Sequence, residues 1–178
     1  MKKHKILFFL LILSGFSTLY GGYKIKIDVK THFKEKVKLR AVKEGVIFYL
    51  KKSGFEVVES GEDYSLWLED YVEKRVFIDK YKVNITVKLS YPTAFFEKPP
   101  IYKIDEKISF KYSPELLDVD ETGLWKYLKE KIDDIKKKDM VKSHFVGRKI
   151  AYDIYFLFRE GKIKDKRFKP IKKQKIIR

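Results

Sequence analysis

The stretch from Tyr81 to Tyr91 constrains the fold more than any other part of the chain. Tyr81, Val83, Ile85, Val87, Leu89 and Tyr91 alternate without a break with Lys82, Asn84, Thr86, Lys88 and Ser90. A period of two places the apolar set on one side of an extended strand and the polar set on the other. Such a strand cannot stand alone. Its apolar side must be sealed by other elements, while its polar side belongs in water, as in many antiparallel sheets.

The same alternation recurs along the chain. Ile25, Ile27 and Val29 fall on one side of Lys24 to Lys30, and Ile104, Ile108 and Phe110 keep phase within Tyr102 to Tyr112. Tyr64 to Phe77 reads as a long strand joined to the Tyr81 strand by a turn near Asp79-Lys80, and Phe55 to Glu59 as a short one before the turn Ser60 to Asp63. Pro92, Pro99 and Pro100 punctuate a loop. Helical spacing appears in Thr31 to Ser53, with Val37, Ala41, Gly45, Phe48 and Tyr49 on one face and Lys36, Arg40, Lys43 and Lys51 on the other. Gly54 is its stop signal. Asp120 can cap a helix carrying Leu124, Leu128, Ile132 and Ile135. From Asp139 the pattern continues or restarts to Gly161, and the small residues Gly147 and Ala151 permit close approach to a neighbour. The expectation is an α+β two-layer sandwich, a mainly antiparallel sheet of about five strands with two or three helices packed on one face.

Three segments divide the chain of 178 residues. In residues 1–22, Lys2, Lys3 and Lys5 precede the apolar run Ile6 to Leu13, which has the length of a signal-peptide core rather than a bilayer span. Gly15-Phe16-Ser17 and Leu19-Tyr20-Gly21 supply small residues for cleavage, and a short anchor is the outcome if cleavage fails. Residues 23–160 form a single α+β domain. Residues 161–178 hold nine basic side chains, among them Lys166, Arg167, Lys169, Lys172, Lys173 and Lys175, against Asp165 alone. This tail reads as disordered until a partner neutralises it.

Of the net charge of +16 the tail carries +8, nine basic residues less Asp165, and it reads either as a plain solvated tail or as attachment to an anionic surface, for an exported chain phospholipid or lipopolysaccharide rather than nucleic acid. The Lys- and Glu-rich composition without Cys matches that reported for hyperthermophiles, implying a thermophilic source. Zero Cys also removes disulfides, thiolate chemistry, zinc ribbons and a lipidated cysteine.

Catalytic motifs are wanting. His4 lies in the leader, and neither His32 nor His144 has a companion at metal-ligand spacing. Asp118 to Gly123 copies the first half of a calcium loop, but Lys129 stands where a bidentate Glu is required. No nucleophile elbow, P-loop or dinucleotide fingerprint occurs. Asp133-Asp134 reads as a pair of ion-pair partners in a lysine-rich helix. The expectation is a non-enzyme without cofactor or metal. One surface feature is suggestive: with Leu66 and Leu68 facing the core, Trp67 and Tyr71 point to the wet face beside Lys82 and Lys88. Aromatic and cationic groups together suit a sugar, a lipid headgroup or a protein loop, and cross-strand packing is the plainer alternative.

The element order, the leader and the hairpin from Tyr64 to Leu89 resemble small periplasmic assembly factors of Gram-negative envelopes. The outline is similar to the lipopolysaccharide-assembly lipoprotein LptE, with the TolB N-terminal domain a second likeness, over roughly Ile25 to Phe158. The missing cysteine and the basic tail depart from that pattern, and no functional residue is carried over. The resemblance implies a periplasmic or envelope-associated accessory protein binding a protein or an anionic envelope component. A ligand-binding or inhibitory module using the aromatic and basic sheet face is the alternative.

Overall fold

A computed structural model describes residues 23–30, 36–92, 100–117 and 122–163. Five strands form one sheet in the order β2-β1-β3-β4-β5, with β1 at Lys24–Val29, β2 at Glu56–Val57, β3 at Tyr64–Arg75, β4 at Lys80–Ser90 and β5 at Tyr102–Lys111. The β3-β4-β5 meander is antiparallel, and β1 lies parallel to both β2 and β3, so the sheet is mixed. Among the described residues, three α-helices, α1 at Lys36–Lys52, α2 at Leu124–Lys131 and α3 at Lys137–Arg159, and a short 3-10 helix at Pro114–Leu117 complete the fold.

The alternating residues behave as their period demands. Ile25, Ile27, Leu66, Leu68, Val83, Ile85, Val87 and Leu89 are all buried in one core with residues of α1 and α3. At roughly 1.5–3 kcal/mol per fully buried aliphatic or aromatic side chain, this single apolar side is the main reason the sheet holds its register.

Helix α1 uses a different stripe from the one its sequence suggests. Leu39, Val42, Val46 and Leu50 enter the main core. Ala41 and Gly45 lie against α3 instead: Ser143 Oγ donates to Ala41 O at 2.6 Å, and a Cβ on Gly45 would meet Ser143 O at 2.4 Å. Gly147 is equally tight, since its Cβ would fall 2.5 Å from the backbone of Gly45. The close approach expected at Gly147 is therefore real, and Gly45 is its counterpart.

Other boundaries differ from the sequence reading for local reasons. Helix α2 takes Gly123 as its N-cap, at φ 77, and Thr122 Oγ1 accepts the Leu124 N–H at 3.3 Å. Asp120 lies outside the described residues. Ile132 ends the helix, and Asp133 and Asp134 sit in the following turn rather than in a helix, Asp134 at φ 53. Ile163 is buried in the main core, so the body extends past residue 160. Residues 1–22, His32, Asp118 to Glu121 and the tail cations Lys166, Arg167, Lys169, Lys172, Lys173 and Lys175 also lie outside the described residues.

Candidate functional site

Among the described residues, helices pack against one side of the sheet only. The other side is read off the register in rows. Asp28, Trp67, Lys88 and Lys103 stand side by side across β1, β3, β4 and β5. Beside them, Glu69, Thr86 and Asp105 make a second row, and Lys74, Lys82 and Ser109 a third beyond the bend in β3. Trp67 is half-buried on this open side, and Lys30 Nζ sits 4.7 Å from its ring centroid. That is within cation–π range.

The carboxylates here are engaged. Glu69 pairs with both Lys88 and Lys30. Asp105 accepts a hydrogen bond from Thr86 Oγ1 at 2.7 Å, and Asp28 lies 3.6 Å from Lys26. The Glu69 contact raises the Lys88 pKa, so this ammonium stays charged at any ordinary pH. Among the described residues, Lys74, Lys82, Lys103 and Lys107 are exposed and make no ion pair. This side thus presents to solvent a half-buried aromatic ring beside the paired Lys30 and Lys88, with lysines that make no ion pair farther across the sheet.

Trp67, Lys82 and Lys88 thus lie where the sequence placed them, on the open side. Tyr71 does not. Between Glu69 and Val72 the pairing with β4 shifts, so Asp70 and Tyr71 together oppose Ile85 alone. Asp70 takes φ 50, a left-handed conformation that Asp tolerates better than most residues. This β-bulge reverses the phase of the strand. Tyr71 consequently turns under the helices, where it is buried and its hydroxyl donates to Glu73 Oε2 at 3.1 Å. The signal was present in the sequence, because Glu-Asp in mid-strand is unfavourable in a regular ladder.

Sequence reasoning also missed a charge cluster under the helices. Lys142 on α3 is fully buried, with its Nζ 2.7 Å from Glu73 Oε2 and 2.7 Å from Asp139 Oδ1. Glu106, also buried, is raised above its ordinary pKa by desolvation and by Asp153, and Lys149 bridges the two carboxylates. His144 is half-buried, with Nδ1 2.6 Å from the Tyr49 hydroxyl and its ring against Trp125 and Phe145. Burial, and then Arg148, hold its pKa below the usual value. Apart from Lys149, which is exposed on α3, these groups are buried or half-buried and are satisfied by one another. Among the described residues, no cluster of His, Asp and Glu has the makings of a metal site, and no helix is long and apolar enough to cross a membrane.

The fold defines a class first: a two-layer α+β sandwich with one sheet face covered and one left open. No protein-family model matches the chain, and no curated protein matches it. Among solved structures, a minor lipoprotein from Acinetobacter baumannii is similar at TM-score 0.40 and 12% identity, over 77% of this chain and 91% of its own. Rare lipoprotein B from Shewanella oneidensis is similar at TM-score 0.29 and 15% identity, over 75% of this chain and 98% of its own.

Proposed function

We propose that this chain is an exported, non-enzymatic accessory protein of the cell envelope, whose open sheet face takes a phosphate-bearing anionic component of that envelope. The observation that carries the reading is the set of exposed lysines without an ion pair on the open side, Lys103 in the row of Trp67 and Lys107, Lys82 and Lys74 in rows farther along the sheet. A lysine near an anionic lipid surface contributes on the order of 1 kcal/mol. Several together give useful affinity at moderate salt, and Trp67 adds an apolar platform for a sugar or acyl segment. Lys88 is tied to Glu69 and serves mainly to hold Trp67 in a polar frame. The tail cations Lys166, Arg167, Lys169, Lys172, Lys173 and Lys175 extend the same electrostatic attraction.

The test is titration with purified lipopolysaccharide, read by Trp67 fluorescence in a Trp125→Phe background. The triple variant Trp67→Ala, Lys103→Glu, Lys107→Glu, followed by calorimetry, should bind roughly tenfold or more weakly while melting as the parent does. Undiminished binding would overturn the assignment of this face. A chain shortened to end at Ile163, which keeps the last described core residue, measures the tail's share. Shortening to Gly161 would confuse that measurement by deleting Ile163.

A further inference from the structure

The β3–β4 hairpin ends in Val76-Phe77-Ile78, and these side chains are exposed to 42%, 64% and 84%. Apolar residues crowded at a projecting tip are unusual on a soluble surface and mark a contact. Around them stands a basic collar: Lys74, Lys80, Lys82 and Lys111 are exposed, and Lys80 Nζ lies 5.5 Å from the Phe77 ring centroid. The carboxylate of the tip, Asp79, is 3.0 Å from Lys111 Nζ, and that contact lowers its pKa.

The backbone of the tip is prepared for an apolar medium. Arg75 Nε donates to Phe77 O at 3.2 Å and to Ile78 O at 3.1 Å, and Arg75 Nη2 donates to Ile78 O at 2.8 Å. Val76 N donates to Lys80 O at 2.8 Å, and Asp79 O accepts from Tyr112 N at 2.6 Å. A turn that only waved in water would not need its carbonyls capped by a guanidinium. A turn entering the lipid boundary would, because unpaired backbone groups there cost several kcal/mol each.

We infer that this hairpin tip inserts Phe77 and Ile78 into the interfacial region of an anionic phospholipid bilayer, with the lysine collar at headgroup level. The tip is too small for a protein interface, which needs roughly 800 Å² per partner. An apolar wedge with a basic rim is sufficient for reversible bilayer attachment. Lys74 and Lys82 are shared with the open-face reading, but Phe77 and Ile78 lie apart from Trp67, Lys103 and Lys107, so variants at these residues let the two readings fail separately.

Because the chain lacks cysteine, Ile78→Cys can carry a single polarity-sensitive fluorophore, with labelled Tyr152→Cys on α3 as the control. With vesicles of equal parts phosphatidylglycerol and phosphatidylcholine, the label at 78 should brighten several-fold and be quenched by spin-labelled acyl chains, while the label at 152 should not respond. Unlabelled Phe77→Ser/Ile78→Ser should cosediment roughly tenfold less with unchanged melting. Cosedimentation with a water-like label at 78 would overturn insertion. A label response that follows protein concentration without vesicles would show self-association instead, and also overturn it. Retained lipopolysaccharide binding alongside either result would leave the open-face assignment standing. Insertion at 78 with undiminished binding by the triple variant would do the reverse.

Discussion

Charge is handled in opposite ways on the two sides of this sheet. Beneath the helices, Lys142, Glu73 and Glu106 are buried and each has an oppositely charged partner within 3.2 Å. Across the open side, Lys74, Lys82, Lys103 and Lys107 are exposed without an ion pair, and the carboxylates of that side are occupied by other groups. Buried charge without a partner is prohibitively costly, so the covered side had to be completed internally. Exposed lysine costs nothing to leave open. The covered side is therefore closed by its own ion pairs, and the open side carries the lysines on which the proposed contact rests.

The largest expected effect comes from breaking the covered side at its centre. Lys142→Met leaves Glu73 and Asp139 sharing a dry site with no cation, and unfolding in urea should register a loss of about 3–5 kcal/mol. Replacing Glu73 and Asp139 by Leu and Asn in the same background should recover much of the loss, because apolar replacement of a buried ionic cluster is often neutral. A loss below about 1 kcal/mol would show that water reaches Lys142 and that the two sides of the sheet treat charge alike.

A sharper comparison uses the two aromatic residues of β3 that sequence periodicity put on the same face. Tyr71→Ala removes a buried ring and a hydrogen bond to Glu73, and should cost about 2–4 kcal/mol. Trp67→Ala should cost under about 1 kcal/mol and act on lipopolysaccharide binding instead. Thermal melting of both variants decides the matter. Equal destabilisation would contradict the bulge at Asp70.

That pair also shows where the sequence was legible. Alternation in β1, β4 and β5 specifies one covered side, and the structure follows it as far as Leu89, because nothing in those strands competes with a period of two; Tyr91, counted in the same set, lies past the end of β4 and is exposed. Strand β3 carries an extra residue, and a period extended through it assigns Tyr71 wrongly. Helix α1 illustrates the same limit in helical form. It has two apolar stripes, Leu39-Val42-Val46-Leu50 for the core and Ala41-Gly45 for α3, and spacing alone cannot say which neighbour each meets. Lys142 was illegible for a different reason. A lysine is almost always solvated, and only the bulge brings Glu73 under α3 to meet it. The open-face lysines were readable in part, Lys82 and Lys88 through β4, whereas Lys103 and Lys107 needed the register of β5.

Gly147→Ala tests the covered side more gently. The added methyl would lie 2.5 Å from the backbone of Gly45, too close for any rotamer change to relieve. The helices must part, at a cost of about 1–3 kcal/mol. Lipopolysaccharide affinity of the folded fraction should stay as it was, since the α1–α3 crossing lies on the opposite side from Trp67.

The smallest effect is a slope against pH. Burial, and then Arg148, hold the His144 pKa below its ordinary value of 6.5, and the Tyr49 hydroxyl lies 2.6 Å from Nδ1. Above pH 6.5 the imidazole is neutral in both folded and unfolded chains, so its environment carries no penalty. Below that value the unfolded chain takes up a proton that the folded one refuses, and stability falls until the folded pKa is passed. Glu106 works with the opposite sign: its raised pKa makes the folded chain gain as the carboxyl protonates. The parent's melting curve against pH therefore mixes two opposed slopes. Subtracting the curve of His144→Phe isolates the histidine, because that variant keeps the ring contacts with Trp125 and Phe145 while losing the titration. The difference should open as pH drops from 7 toward 5. Parallel curves over that interval would mean that His144 is solvated, and that the covered side is drier around Lys142 than around Tyr49.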